Sequence, residues 1–187
     1  MNSSLPVWTL SIITLSIFGF FFENISSVFI YDRNALIEGE YWRLISGHLV
    51  HFSPMHLTSN VIAFAVTGWL IENRGYPKFS WLIFLMAFSI SISLLLFKPE
   101  LHYYGGISGL VHGGLYYLAL FGTKEEQPWR QISWIIILIL PLKVALEIYQ
   151  ENSLLTYVFT ETYITIPLSH MIGISVALLL FLVIKYK

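Results

Sequence analysis

The chain has no cysteine in 187 residues. Disulfides, thiolate metal sites and thiol nucleophiles are therefore excluded, while the redox compartment stays open. Charge is scarce too. Asp, Glu, Lys and Arg make up 11% of the residues, where a soluble domain carries about 25%. The formal net charge is −1, so no basic field exists to attract nucleic acid. There is no internal repeat, low-complexity run or linker. Residues 1–6 hold no positive charge and no small-residue cleavage site follows. The first apolar run therefore reads as a retained helix and not as a signal peptide.

What is present is apolar. Hydrophobic residues account for 56% of the chain and the mean hydropathy is +0.71. That composition belongs to an integral membrane protein, and the length suits one compact domain over residues 1–187. Apolar runs of about 17–25 residues are long enough to cross a bilayer. Six are visible, at roughly Val7–Ile30, His56–Glu72, Phe79–Phe97, Ser108–Thr123, Trp129–Tyr149 and Ile166–Lys187. The expected fold is all-α, a polytopic bundle of six transmembrane helices. Glu23-Asn24 soften the end of the first run, and Tyr31–Met55 is too charged to span. The loop Gln150–Thr165 separates the last two runs. The fourth run is short, which sinks its N-terminus below the outer surface. Irregular backbone at such depth must line protein or a wet cavity.

Positive charge orients the bundle. With both termini in the cytoplasm, the inner segments carry Arg74, Lys78, Lys124, Arg130, Lys185 and Lys187, and the outer ones Arg33, Arg43 and Lys98. This bias sets the start of the fourth span on the outer side.

That start is the stretch Gly105–Gly113. It holds a Gly106-Ile107-Ser108-Gly109 turn running into an apolar helix. Glycines leave a serine hydroxyl uncovered and let backbone N–H groups approach what it attacks. Alone, the turn reads equally well as a small-residue helix contact. A nucleophilic serine also needs a base. His170 lies near the outer start of the sixth span, where Gly173 and Ala177 make a small-xxx-small face. Gly109 and Gly113 make the matching face on the fourth. Packing of the two faces brings Ser108 and His170 to one depth, as a serine–histidine dyad.

His56 and Asn60, four apart at the outer start of the second span, share one helix face. Both donate hydrogen bonds, as a developing oxyanion requires, beside Gly106 and the Ser108 N–H. The plainer reading is a polar pair between helices. His48, His51 and His56 cluster, but no HExxH occurs and no acidic ligand sits at helical spacing, so neither metal nor cofactor is expected. His112, one turn past Ser108, offers three roles: stacking on His170, replacing it as base, or bonding a substrate group. Lys143 and Glu147, four apart in the fifth span, read as a structural pair, with no acid expected against His170. Glu72 reads as bonded to loop backbone or Arg74, and Tyr41-Trp42-Arg43 as an interfacial anchor.

Taken together, these residues resemble the rhomboid family of intramembrane serine proteases. Trp42-Arg43, His56-x-x-x-Asn60, Gly106-x-Ser108-Gly109 and His170-x-x-Gly173-x-x-x-Ala177 fall in the family's order, and Glu72 matches a recurrent acidic position. The resemblance covers Tyr41 to the end of the sequence. It implies a six-helix bundle, a Ser108–His170 dyad, and a transmembrane segment of a protein substrate met within the lipid bilayer. His112 stands where many rhomboids carry a tyrosine. With the small size and no seventh helix or extra-membrane domain expected, that histidine is similar to the bacterial rhombosortases. This subgroup is implied to act in the bacterial inner membrane, on exported proteins bearing a C-terminal Gly-Gly motif, a transmembrane helix and a basic tail. The alternatives are a rhomboid protease with other substrates, an inactive rhomboid-like helix-binding protein, and a polar-cored transporter. The last would more often show inverted repeats.

Overall fold

A backbone in hydrocarbon must satisfy its own polar groups, so long apolar runs fold as helices. The computed structural model describes residues 5–150 and 166–185. The expected loop beyond Gln150, and Lys187, lie outside them. In chain order the elements are α1 (Val7–Phe21), α2 (Glu23–Phe29), β1 (Tyr31–Asp32), α3 (Arg33–Ile37), α4 (Arg43–Ser46) and a 3-10 turn, Gly47–Leu49. They continue as α5 (Pro54–Asn73), α6 (Phe79–Phe97), β2 (Tyr103–Tyr104), α7 (Ser108–Gly122), α8 (Trp129–Gln150) and α9 (Pro167–Lys185). Helices α6, α8 and α9 are each long and apolar enough to cross a membrane. Two bent pairs, α1 with α2 and Arg43–Leu49 with α5, raise the count to as many as five among the described residues. The chain is a multi-pass helical membrane protein.

The first apolar run is not one helix. It breaks at Phe22 and turns by 114°. Glu23 and Asn24 explain the turn, because polar groups held in hydrocarbon without partners are expensive. The next residues are drawn into the interfacial stretch instead. Arg43 donates from Nη1 to the carbonyls of Ser27 (3.0 Å) and Ile30 (2.7 Å), and from Nε to Glu40 at 2.6 Å. Trp42 Nε1 donates to Val28 O at 3.1 Å. Orphan carbonyls at the end of α2 are thus satisfied by side chains.

Glu72 also departs from the expected partner. It accepts from Trp8 N at 3.1 Å, Thr9 N at 2.8 Å and Thr9 Oγ1 at 2.5 Å. Its carboxylate therefore closes the N-terminus of α1, where orphan N–H groups and the helix dipole both favour an anion. Arg74 pairs instead with Glu125 at 3.1 Å and lies over the Trp129 ring.

Helix α7 is the axis of the bundle. Eleven of its fifteen residues are buried, and it packs on α5, α6, α8 and most extensively α9. At about 1.5 Å per residue it is roughly 22 Å long, short of the ~30 Å hydrocarbon core. Helix α8 is the reverse case: of its 22 residues only Ser133, Val144 and Glu147 are buried. One feature lies outside the all-α expectation. β1 and β2 pair antiparallel, with Tyr31 opposite Tyr104 and Asp32 opposite Tyr103. This short ladder ties the stretch after α2 to the turn before Ser108.

Candidate active site

The site forms where the starts of α5, α7 and α9 meet the end of α8. Gly106 adopts φ +111°, a conformation that L side chains rarely take. Its Cα faces α5 so closely that a Cβ there would sit 2.7 Å from His56 Nε2 and 3.7 Å from Asn60 Nδ2. The turn that presents Ser108 is therefore laid directly on the His56–Asn60 face. Helix α5 starts at that point for local reasons: Pro54 suits the first turn, and Ser53 accepts from His56 N at 3.1 Å.

Helix α7 has no side-chain cap at its N-terminus. Val111 N is bonded to Ile107 O, and the N–H groups ahead of it are the orphan donors of a helix start. Asn60 Nδ2 is buried and has no hydrogen-bond partner among the described residues. A buried amide donor left unpaired is costly, and here it lies beside the Gly106–Ser108 turn. The Ser108 N–H and this amide are donors suited to a developing oxyanion. His51 and Phe52 hold the His56 ring, with centroids 4.9 and 6.2 Å away.

His170 reaches Ser108 because α7 and α9 touch backbone to backbone. A Cβ at Gly173 would collide with Gly109 O, and one at Gly113 would lie 2.5 Å from Gly173 O. Ala177 is fully buried on the same helix. Across this contact His170 Nε2 lies 3.2 Å from Ser108 Oγ. That is hydrogen-bond reach between a hydroxyl and a base. His170 is 2% exposed.

Two residues first read as structural turn out to be in the site. Glu147 Oε2 lies 3.0 Å from His170 Nδ1, and Glu147 is fully buried. The histidine therefore carries an acid, contrary to the expectation of a bare dyad. Lys143 Nζ lies 2.8 Å from Glu147 Oε1 and 2.7 Å from His112 Nε2. His112 Nδ1 is 2.8 Å from Ser108 O, and its ring stacks on His170 with centroids 3.7 Å apart and planes 13° from parallel. The signal for Glu147 and Lys143 was present in the sequence, since ionisable residues within a span are functional candidates by default.

His112, Glu147 and His170 offer ligand atoms all within 4.8 Å of one another. Those atoms do not form an open metal cage, because the Lys143 ammonium already sits against two of the three residues and supplies the positive charge. Tyr104 borders the turn, 3.3 Å from Gly106 O. Burial pushes its phenol up to about 12, outweighing hydrogen bonds with Ser169 and Ser108 that lower it. Tyr104 is a donor at any working pH and not a rival base. His48 has Nε2 3.0 Å from Ala87 O and 3.1 Å from Ser91 Oγ, with its ring edge-on to Tyr104 at 5.3 Å.

Comparison with known proteins bears on the family. A model of the Rhomboid domain matches residues 38–187. The chain is 30% identical over 132 residues to the Rhomboid protease GluP of Bacillus subtilis (strain 168), covering 64% of this chain and 26% of that protein. It is 29% identical over 103 residues to the uncharacterized protein ML1171 of Mycobacterium leprae (strain TN), covering 51% of this chain and 40% of that one. The chain thus spans less than half the length of either relative.

Proposed function

The chain belongs to the rhomboid family, and from that premise we propose that it is a serine-type intramembrane endopeptidase. The observation that carries the proposal is the 3.2 Å approach of Ser108 Oγ to His170 Nε2 across two helices in backbone contact. Ser108 attacks a scissile carbonyl, and His170 Nε2 takes its proton. Negative charge gathers on the carbonyl oxygen, against the Ser108 N–H, Asn60 Nδ2 and His56 beside Gly106. Collapse of this intermediate breaks the C–N bond, and His170 returns the proton to the leaving amine. Water activated by the same histidine then releases the acyl group.

A transmembrane helix hides its carbonyls in intrahelical bonds. A cleavable segment must therefore unwind, which glycine near the cut favours. On this reading the substrate is the transmembrane anchor of an exported membrane protein with a C-terminal Gly-Gly tail, as for the rhombosortases. The histidine at 112 is the sequence feature that favours this subgroup. Residues 1–187 make one six-span domain in a bacterial inner membrane. Both termini face the cytoplasm and the site opens toward the periplasm, as the positive-charge bias supports.

The test uses purified protein, a substrate with a Gly-Gly transmembrane tail, and a fluorophosphonate probe. Cleavage and probe labelling both disappear in Ser108→Ala and His170→Ala. Cleavage that survives Ser108→Ala would remove the serine protease reading. Cleavage of tails with and without Gly-Gly at equal rates would leave a protease of broader substrate range.

A further inference from the structure

The geometry points to Glu147 and Lys143 as positioning residues of this site. Glu147 holds His170 with Nε2 open toward Ser108, and Lys143 closes the same atom of His112, so among the described residues one base faces the serine. The inference rests on the protease reading and deepens it.

Hydrogen-bond bookkeeping fixes both tautomers. The Ser108 carbonyl can only accept, so the 2.8 Å contact requires the proton on His112 Nδ1. In the neutral ring Nε2 is then a lone pair, and Lys143 Nζ donates to it at 2.7 Å. His112 has neither nitrogen available to take the serine proton, and the neighbouring ammonium opposes a second proton on its ring. The role of alternative base is thereby closed to it.

A carboxylate accepts only, so the 3.0 Å contact with Glu147 Oε2 requires the proton on His170 Nδ1. Nε2 is left as the lone pair 3.2 Å from Ser108 Oγ. Glu147 would be costly in this buried setting without a counter-charge, and Lys143 supplies one at 2.8 Å. The contacts close on themselves: Ser108 carbonyl, His112, Lys143, Glu147, His170, Ser108 hydroxyl. Glu147 lowers the cost of the imidazolium formed when His170 takes the serine proton, and Lys143 raises it.

Among the described residues, the charged and titratable groups facing His170 are His112 from α7 and Lys143 and Glu147 from α8. Helix α6 has none in its sequence, and Tyr104 of β2 stands beside Ser108. Glu147 and Lys143 therefore have opposite electrostatic signatures, which a purely structural role would not have.

The experiment measures the fluorophosphonate labelling rate of Ser108 between pH 5 and 9 in full-length protein, wild type against Glu147→Gln and Lys143→Met. Substrate cleavage supplies kcat and KM. Glu147→Gln is expected to lower the labelling rate and kcat by about 100-fold or more, with KM nearly unchanged. The acid limb of its rate profile moves to lower pH, and that of Lys143→Met moves to higher pH. Glu147→Asp recovers part of the lost rate. Labelling of Glu147→Gln within about threefold of wild type, or acid limbs that stay put or move together, overturns the inference. If Glu147→Gln does not fold, 15N-histidine spectra of the wild type decide: protons on Nδ1 of both His112 and His170 support it, and a proton on Nε2 of either neutral ring overturns it. A folded wild type that neither labels nor cleaves sinks the protease reading itself, a separate outcome from these.

Discussion

The sharpest structural perturbation is one methyl group, Gly173→Ala. Its Cβ would overlap Gly109 O and lie 3.2 Å from Gly109 C and 3.4 Å from Gly113 N. All three are backbone atoms, so no side chain can swing aside. Restoring ordinary contact at about 3.5–4.0 Å requires α7 and α9 to part by roughly 1–2 Å. Ser108 and His170 lie within about one turn of this contact, at i−1 from Gly109 and i−3 from Gly173. Their 3.2 Å hydrogen bond then stretches to about 4 Å, beyond hydrogen-bond range. A misplacement of about 1 Å costs on the order of 100-fold in rate, and overpacking costs about 1–3 kcal/mol in stability. The assay is Ser108 labelling by a fluorophosphonate, with circular dichroism and a thermal melt on the same samples. Ser175→Ala, on an exposed face of α9, is the control and labels like wild type. A folded Gly173→Ala that labels within about twofold of wild type refutes the reasoning, because the distance between the two helices would then not set the chemistry.

Other outcomes follow from the same contacts. Asn60→Ala lowers kcat by about 100- to 1,000-fold with little change in KM, as for loss of an oxyanion donor; steady-state kinetics on the Gly-Gly-tail substrate checks this. Glu72→Gln removes the charge that closes α1 and costs about 0.5–2 kcal/mol. It lowers the thermal midpoint while leaving Ser108 labelling within about twofold of wild type. Arg43→Lys keeps the charge but loses the fork that serves Ser27 O, Ile30 O and Glu40 together. Amide exchange over residues 23–30 rises accordingly, and the loss amounts to about 1–3 kcal/mol.

Part of this architecture is legible as spacing. Small residues four apart on two runs, Gly109 with Gly113 and Gly173 with Ala177, spell a close helix crossing, and the crossing carries Ser108 and His170 to each other. The His56–Asn60 pair is legible because a four-residue step keeps both on one helix face. Glu147 is not legible in this way. With Lys143 it spells a local pair, and its facing depends on the rotation of α8 about its axis. Most of α8 is apolar and little of it is buried, so no stripe in its sequence records that rotation. Glu72 shows the complementary difficulty. Its nearest cation in sequence is Arg74, but the open N-terminus of a helix more than sixty residues away competes successfully for the carboxylate. The turn at Phe22 hides for a third reason, since apolar length does not reveal where a helix changes direction.

The shallow seat of α8 gives its charges a collective property. Lys143 and Glu147 are neighbours on one helix, bonded to each other at 2.8 Å. Their other links in the ring reach across to His112 on α7 and His170 on α9. Any displacement of α8 from the bundle carries cation and anion together and leaves behind two stacked neutral imidazoles and a hydroxyl. No lone charge is stranded in the apolar interior, which is the outcome that makes breaking a buried ion pair so costly. The Lys143–Glu147 pair can thus leave its seat, on a helix with few buried residues, as an electrically neutral unit.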